Sequence, residues 1–163
     1  MSGRTDELKG LLNLRPHPEG GWFAEHHRAP ARVRVDAQEG DRAASTSIYY
    51  LLEEGDASRP HRIRSDETWH FYEGAPLVLH EEDSAGSATI TLLAPPPAGA
   101  YALTVPAGHW MAARSTGEYT LAGCTVAPGF EFEDLEYRDP PPRRPETLFA
   151  DPPDGGRTKG RPE

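Results

Sequence analysis

Two side chains six residues apart, His61 and Glu67, are the best placed in this chain to do chemistry together. They lie in the stretch Gly55-Asp-Ala-Ser-Arg-Pro-His61-Arg-Ile63-Arg-Ser-Asp-Glu67-Thr-Trp69-His70-Phe-Tyr72-Glu-Gly74. The spacing is a glycine, five residues, a histidine, one residue, Ile63, three residues, a glutamate, six residues and a glycine. An imidazole and a carboxylate on neighbouring short strands can ligate a divalent metal or move protons near neutral pH. A tightly held zinc, iron or manganese ordinarily takes three or more protein ligands. On their own, His61 and Glu67 would hold a divalent ion weakly or not at all.

Strands must position these groups. STSIYYLL over residues 45–52 is β-branched and aromatic. Further strand-like runs cover 22–28, 61–63, 67–72, 76–81, 88–93, 101–105, 109–113 and 119–126, with turn residues between them. No long amphipathic helix separates the runs, so a βαβ arrangement is excluded and an all-β sandwich or barrel is expected. One short helix is expected near the start. Thr5 or Asp6 can cap it, Leu8, Leu11 and Leu12 have helical spacing, and Pro16 stops it by Arg15. Pro16-His-Pro-Glu-Gly-Gly21 then reads as a loop.

Residues 1–138 are read as one domain. From Asp139 to Glu163 the chain has seven prolines and few apolar residues, so a mobile tail is expected, with Leu148 and Phe149 able to dock locally. The net charge of −9 lacks the basic stripe of a nucleic-acid binder. Arg28, Arg32 and Arg34 read as a solvated loop. No apolar run approaches a membrane span, and MSGRTDELKG has no apolar core of a secretion signal, so a soluble cytoplasmic protein is expected. Cys124 is a single thiol in an apolar run, read as inert packing. No Cys-x-x-Cys, Gly-x-Ser-x-Gly, phosphate-binding or dinucleotide-binding motif is present.

Four blocks together resemble the Cupin_5 (DUF985) family of the cupin superfamily. They are Leu14-Arg-Pro-His-Pro-Glu-Gly-Gly21 with Phe23, the run 45–52, His61 through Gly74, and Val105-Pro-Ala-Gly108-x-Trp110-x-Ala-Ala-Arg114 with Gly123 to Asp134. The resemblance spans about residues 10–137 and implies a jelly-roll barrel (a double-stranded β-helix) and a homodimer. In metal cupins two of the ligand positions correspond here to Ile63 and to Met111, the latter two residues past the Pro106-Ala-Gly108 turn and His109. The four usual positions thus read His61, Ile63, Glu67 and Met111.

The function expected is a small-molecule enzyme doing non-oxidative acid–base chemistry: an isomerase or epimerase, dehydratase, lyase or cyclase acting on a sugar-like or biosynthetic intermediate. His61 would be the base and Glu67 its support, with Tyr50 or Tyr72 returning a proton. Trp69 and Trp110 offer flat faces to a substrate, Arg114 a bidentate anion site, and Ile63 and Met111 apolar lining. His70 is a further candidate, although strand alternation turns it away from Glu67 unless a bulge intervenes. Two alternatives stand beside this: a metal-dependent, dioxygenase-like enzyme with His61 and Glu67 as ligands, and a metabolite-binding dimer without turnover. His17 is expected in a turn or pocket lid. Only one of His26 and His27 can face inward, and His80 and His109 are expected in solvent.

Overall fold

β-Branched, aromatic and aliphatic residues gather in short runs between glycine, proline and polar turns, and the chain answers with strands. A computed structural model describes residues 3–34 and 40–138. In order these form α1 (Arg4–Leu11), β1 (Arg15–Pro16), β2 (Trp22–Arg28), β3 (Arg32–Arg34), β4 (Asp41–Ala43), β5 (Thr46–Glu53), β6 (His61–Arg62) and β7 (Asp66–Gly74). Then come β8 (Leu77–Glu82), β9 (Ala88–Leu93), β10 (Ala102–Val105), β11 (Trp110–Ser115), β12 (Tyr119–Ala127), a 3-10 turn (Phe132–Asp134) and β13 (Glu136–Tyr137). The expected tail lies outside the described residues.

The strands make a six-stranded sheet in the order β1-β2-β5-β12-β7-β10 and a five-stranded sheet in the order β13-β6-β11-β8-β9. All of these pairings are antiparallel. The two sheets enclose one core, as a jelly roll does. The larger sheet contributes Tyr50, Leu52, Trp69, Ala122 and Cys124, and the smaller one Leu77, Leu79, Leu93, Met111 and Ala113. Burying each large apolar side chain contributes roughly 1.5–3 kcal/mol. Alternation on β5 sends Tyr50 and Leu52 inward, while Leu51 meets Leu8, Leu14 and Leu121 on the outer face, where α1 docks.

Several expectations change. Gly3, not Thr5 or Asp6, is the N-cap of α1, and no side chain caps it. Leu11 is exposed and Leu8 carries the buried contact. Arg32 and Arg34 lie on a strand, not in a loop, because Arg32–Arg34 pairs with Asp41–Ala43 as a separate ribbon. His80 is 7% exposed rather than solvated, because β8 is flanked by β11 and β9 and presents it between Ala112 and Ile90. Among the described residues no helix is long and apolar enough to cross a membrane.

Candidate functional site

Arg15-Pro-His17-Pro-Glu19 builds one wall of the site. A residue before proline is held extended, so Pro16 and Pro18 keep Arg15 and His17 in that conformation, and residues 15, 17 and 19 present their side chains to one side. All three line a single cavity of about 270 Å³. The segment closes on itself: the His17 amide donates to the Gly21 carbonyl at 2.9 Å and the Gly20 amide to the His17 carbonyl at 3.0 Å. The Arg59 amide donates to the Glu19 carbonyl at 2.7 Å, and the Tyr50 hydroxyl to the Gly20 carbonyl at 2.8 Å. Gly20 and Gly21 have φ of 107° and 71°, and a Cβ on either would fall 2.6 Å from the Ala57 oxygen or 2.7 Å from the Leu51 oxygen. Only glycine makes this turn without strain.

The opposite wall comes from the large sheet. Glu67 on β7 and Cys124 on β12 face the cavity with Tyr50, while Phe23, Ile48, Val126, Phe130 and Phe132 supply apolar surface. Glu25, Arg28 and Glu131 complete the lining. Arg28 is fully engaged there, donating to both carboxylate oxygens of Glu25 at 2.9 Å, to Glu131 at 3.0 Å and to the Phe130 carbonyl at 3.0 Å. A buried bidentate pair between Arg42 and Asp134, at 2.8 and 2.9 Å, anchors the 3-10 turn that carries Phe132.

Two carboxyls of this cavity, Glu19 and Glu67, form no ion pair with Lys or Arg among the described residues. Glu67 is 7% exposed, and burial pushes it up to about 7, while a hydrogen bond with the Cys124 thiol pulls the other way. Glu19 is 9% exposed, and burial followed by the nearby Glu67 charge raises it well above the usual carboxylate range. His61 is buried behind Glu19, its Nε2 3.3 Å from Glu19 Oε2 and its Nδ1 2.7 Å from the Arg59 carbonyl. Burial lowers His61 to about 4 and His17 likewise to about 4, so both rings are neutral near pH 7. His17 Nδ1 accepts from the Glu19 amide at 3.0 Å, which leaves the ring proton on Nε2.

The residues singled out by sequence therefore separate. Tyr50 and Glu67 line the cavity, and His61 supports it from behind. Ile63 and Met111, 4% and 1% exposed, fill the core. Trp69 is 1% exposed, packs at 5.7 Å from the Tyr50 ring, and its Nε1 has no hydrogen-bond partner among the described residues. Trp110 is not a cavity wall: it points away from Met111 and is sandwiched between Arg62 at 4.6 Å and Arg138 at 4.7 Å. Arg114 is likewise off the cavity, on the Ala112 face of β11, because that strand turns Met111 and Ala113 inward. His70 stays on the outer face, 3.3 Å from Thr125, and Tyr72 there is 48% exposed beside Tyr49. A bulge in the β7–β12 pairing falls between Leu121 and Ala122, too far along to turn His70 inward. His109 does not stand free in solvent but contacts Glu81 at 2.7 Å.

Sequence reasoning missed Glu19, Arg15 and Arg28. The period-two pattern of Arg15, His17 and Glu19 between two prolines was the available signal for the first two. A resident metal of the metal-cupin kind does not fit these residues. Two of its four positions hold Ile63 and Met111 in packed core, and His61 Nε2 faces Glu19. Among the described residues no cluster of three or more His, Cys, Asp or Glu side chains is arranged to hold a metal ion.

Comparison with known proteins bears on this geometry. The family model described as Cupin superfamily (DUF985) matches residues 6–138. A hypothetical protein from Leishmania major is similar in structure, with a TM-score of 0.76 and 29% identity over 82% of this chain and 86% of that one. A crystal structure of a Shewanella oneidensis protein gives 0.75 and 30% identity over 85% of each chain. Oxalate decarboxylase from Bacillus subtilis shares the fold, with a TM-score of 0.56 and 16% identity over 75% of this chain but 29% of that one. No curated protein matches the chain.

Proposed function

Because the chain belongs to the Cupin_5 (DUF985) family of the cupin superfamily, and its barrel holds two carboxyls without a Lys or Arg ion pair among the described residues, we propose that it is an enzyme of non-oxidative acid–base chemistry on a small molecule. The observation that carries this is Glu67, a buried carboxyl opening onto a cavity of about 270 Å³ and hydrogen-bonded to the Cys124 thiol. The cavity lies near the lower end of the roughly 300–1,000 Å³ usual for ligand sites, so the substrate is small.

The roles divide by environment. A group poised near the working pH exchanges protons best, and paired groups whose pKa values are pushed apart sort into base and acid. Glu67 takes the base role and Glu19, which burial and the nearby Glu67 charge push toward its protonated form, the acid role. His61 is a positioning residue: its Nδ1–H donates to the Arg59 carbonyl, and Nε2 then fixes the Glu19 carboxyl. Tyr50 holds the Gly20 carbonyl and orients the loop. Proton abstraction next to a carbonyl, followed by return at another atom or loss of a hydroxyl, covers isomerase, epimerase, dehydratase and lyase outcomes.

The test is deuterium incorporation. Small hydroxy and keto acids and sugars are incubated with protein in D2O and followed by NMR for exchange of carbon-bound protons. Glu67→Gln should lower any exchange by about 10²–10⁴-fold while leaving the fold intact. Undiminished exchange in that variant would remove Glu67 from the mechanism.

A further inference from the structure

The lining of the cavity is sorted by charge in a way that specifies a ligand. Arg15 is exposed at its rim, and its guanidinium lies 4.9 Å over the Phe23 ring. Among the described residues it makes no hydrogen bond or ion pair. The other rim cation, Arg28, is spent on Glu25, Glu131 and the Phe130 carbonyl. Arg15 is thus the rim cation whose guanidinium has no carboxylate on it among the described residues. Behind it the walls are flat and apolar: Phe23, Ile48, Val126, Phe130. His17 packs edge-on against Phe23 at 4.4 Å and against Tyr50 at 5.4 Å, continuing that surface inward. The deep end holds Glu19 and Glu67, which offer hydrogen-bonding oxygens and no cation.

We propose that the cavity takes a small organic monoanion, a carboxylate above all, with its charged end at Arg15, its flat or apolar body along Phe23 and Phe130, and an oxygen-bearing end toward Glu19 and Glu67. This deepens the acid–base reading by naming the substrate class. Arg15 selects charge, the aromatic walls select shape, and the deep carboxyls meet the reacting end. A cationic ligand would set its charge against Arg15, while a neutral one would leave that guanidinium without a partner.

Three probes of one shape and different charge separate these cases: benzoate, benzamide and benzamidine. Binding to the full chain is followed by amide shifts in two-dimensional NMR, for wild type, Arg15→Gln, Arg15→Lys and Glu67→Gln. Benzoate should bind about fivefold more tightly than benzamide, the range of one exposed charge pair, and shift the amides of Arg15, His17 and Phe23. R15Q should erase that preference and R15K keep part of it. Equal affinity for benzoate and benzamide, tighter binding of benzamidine, absence of benzoate binding at millimolar concentration, or a preference unchanged in R15Q would each overturn the proposal. Glu67→Gln separates the two readings. A benzoate preference that persists there, alongside a Glu67 that titrates as an ordinary carboxyl in wild type, would contradict the acid–base role alone. A lost preference with Glu67 titrating near neutrality would contradict the ligand class alone.

Discussion

His61 Nε2 lies 3.3 Å from Oε2 of Glu19, and both side chains are buried. The Arg59 carbonyl, 2.7 Å from His61 Nδ1, can only accept, so Nδ1 carries the ring hydrogen. Nε2 is then the acceptor in a neutral imidazole, and Glu19 must be the donor. Burial of both groups favours this neutral form over an ion pair, raising Glu19 and lowering His61. Under the proposed function His61 holds the acid, where the sequence suggests it as the base.

Stability should carry the signature of Glu67. Its carboxyl is raised from 4.5 to about 7 in the folded chain. Its contribution is therefore present in full below pH 4.5 and is lost as pH rises through 7. That loss amounts to about 3 kcal/mol. His17 and His61 run the other way: lowered from 6.5 to about 4, they contribute above 6.5 and lose it as pH falls through 4. Thermal unfolding of Glu67→Gln should gain on wild type between pH 5 and pH 8. Parallel pH profiles for the two would contradict the burial argument.

The core positions that replace metal donors can be tested by restoring them. Wild-type protein purified without a tag should carry far less than one divalent ion per chain by mass spectrometry. The double variant Ile63→His, Met111→His should bind zinc or manganese stoichiometrically and unfold at higher temperature when metal is added. Near-stoichiometric metal in wild type, lost in His61→Ala, would show that the packed donor set is not the whole site.

Much of this is legible in the sequence. The strand-like runs at 22–28 and 88–93 match β2 and β9 to the residue, and the family resemblance carried in part by the stretch around His61 and Glu67 implies the barrel. Strand alternation correctly turned His70 away from Glu67, and it also carries Arg114 and Trp110 to the outer face once Met111 is known to point in. What sequence could not supply was the partner of each group. Glu19 is 42 residues from His61, and their contact depends on a loop folding over the barrel through the Arg59 amide and the Tyr50 hydroxyl. The burial of His80 depends on two flanking strands that local polarity conceals.

That loop should tolerate no side chain at its glycines. Gly20→Ala and Gly21→Ala each place a Cβ against a backbone oxygen at positive φ. Each should cost about 1–3 kcal/mol in urea unfolding. A neutral effect at both would mean the loop can reseat, and with it Glu19.

Cys124 should behave as an unreactive thiol although it lines the cavity. Burial, then the Glu67 charge, raises it well above its usual range, so little thiolate forms at neutral pH. Ellman's reagent at pH 7.5 should label the native protein at least about a hundredfold more slowly than the unfolded chain. Stoichiometric native labelling within minutes would contradict the described environment.

The most direct measurement is the titration of Glu67 itself, by carbon-detected NMR on protein with labelled glutamate side chains, assigned with Glu67→Gln and Glu19→Gln. The account predicts a midpoint near 7 for Glu67 and one well above the ordinary carboxylate range for Glu19. Midpoints near 4.5 for both would make them ordinary carboxylates and would contradict the assignment of an acid and a base to this cavity.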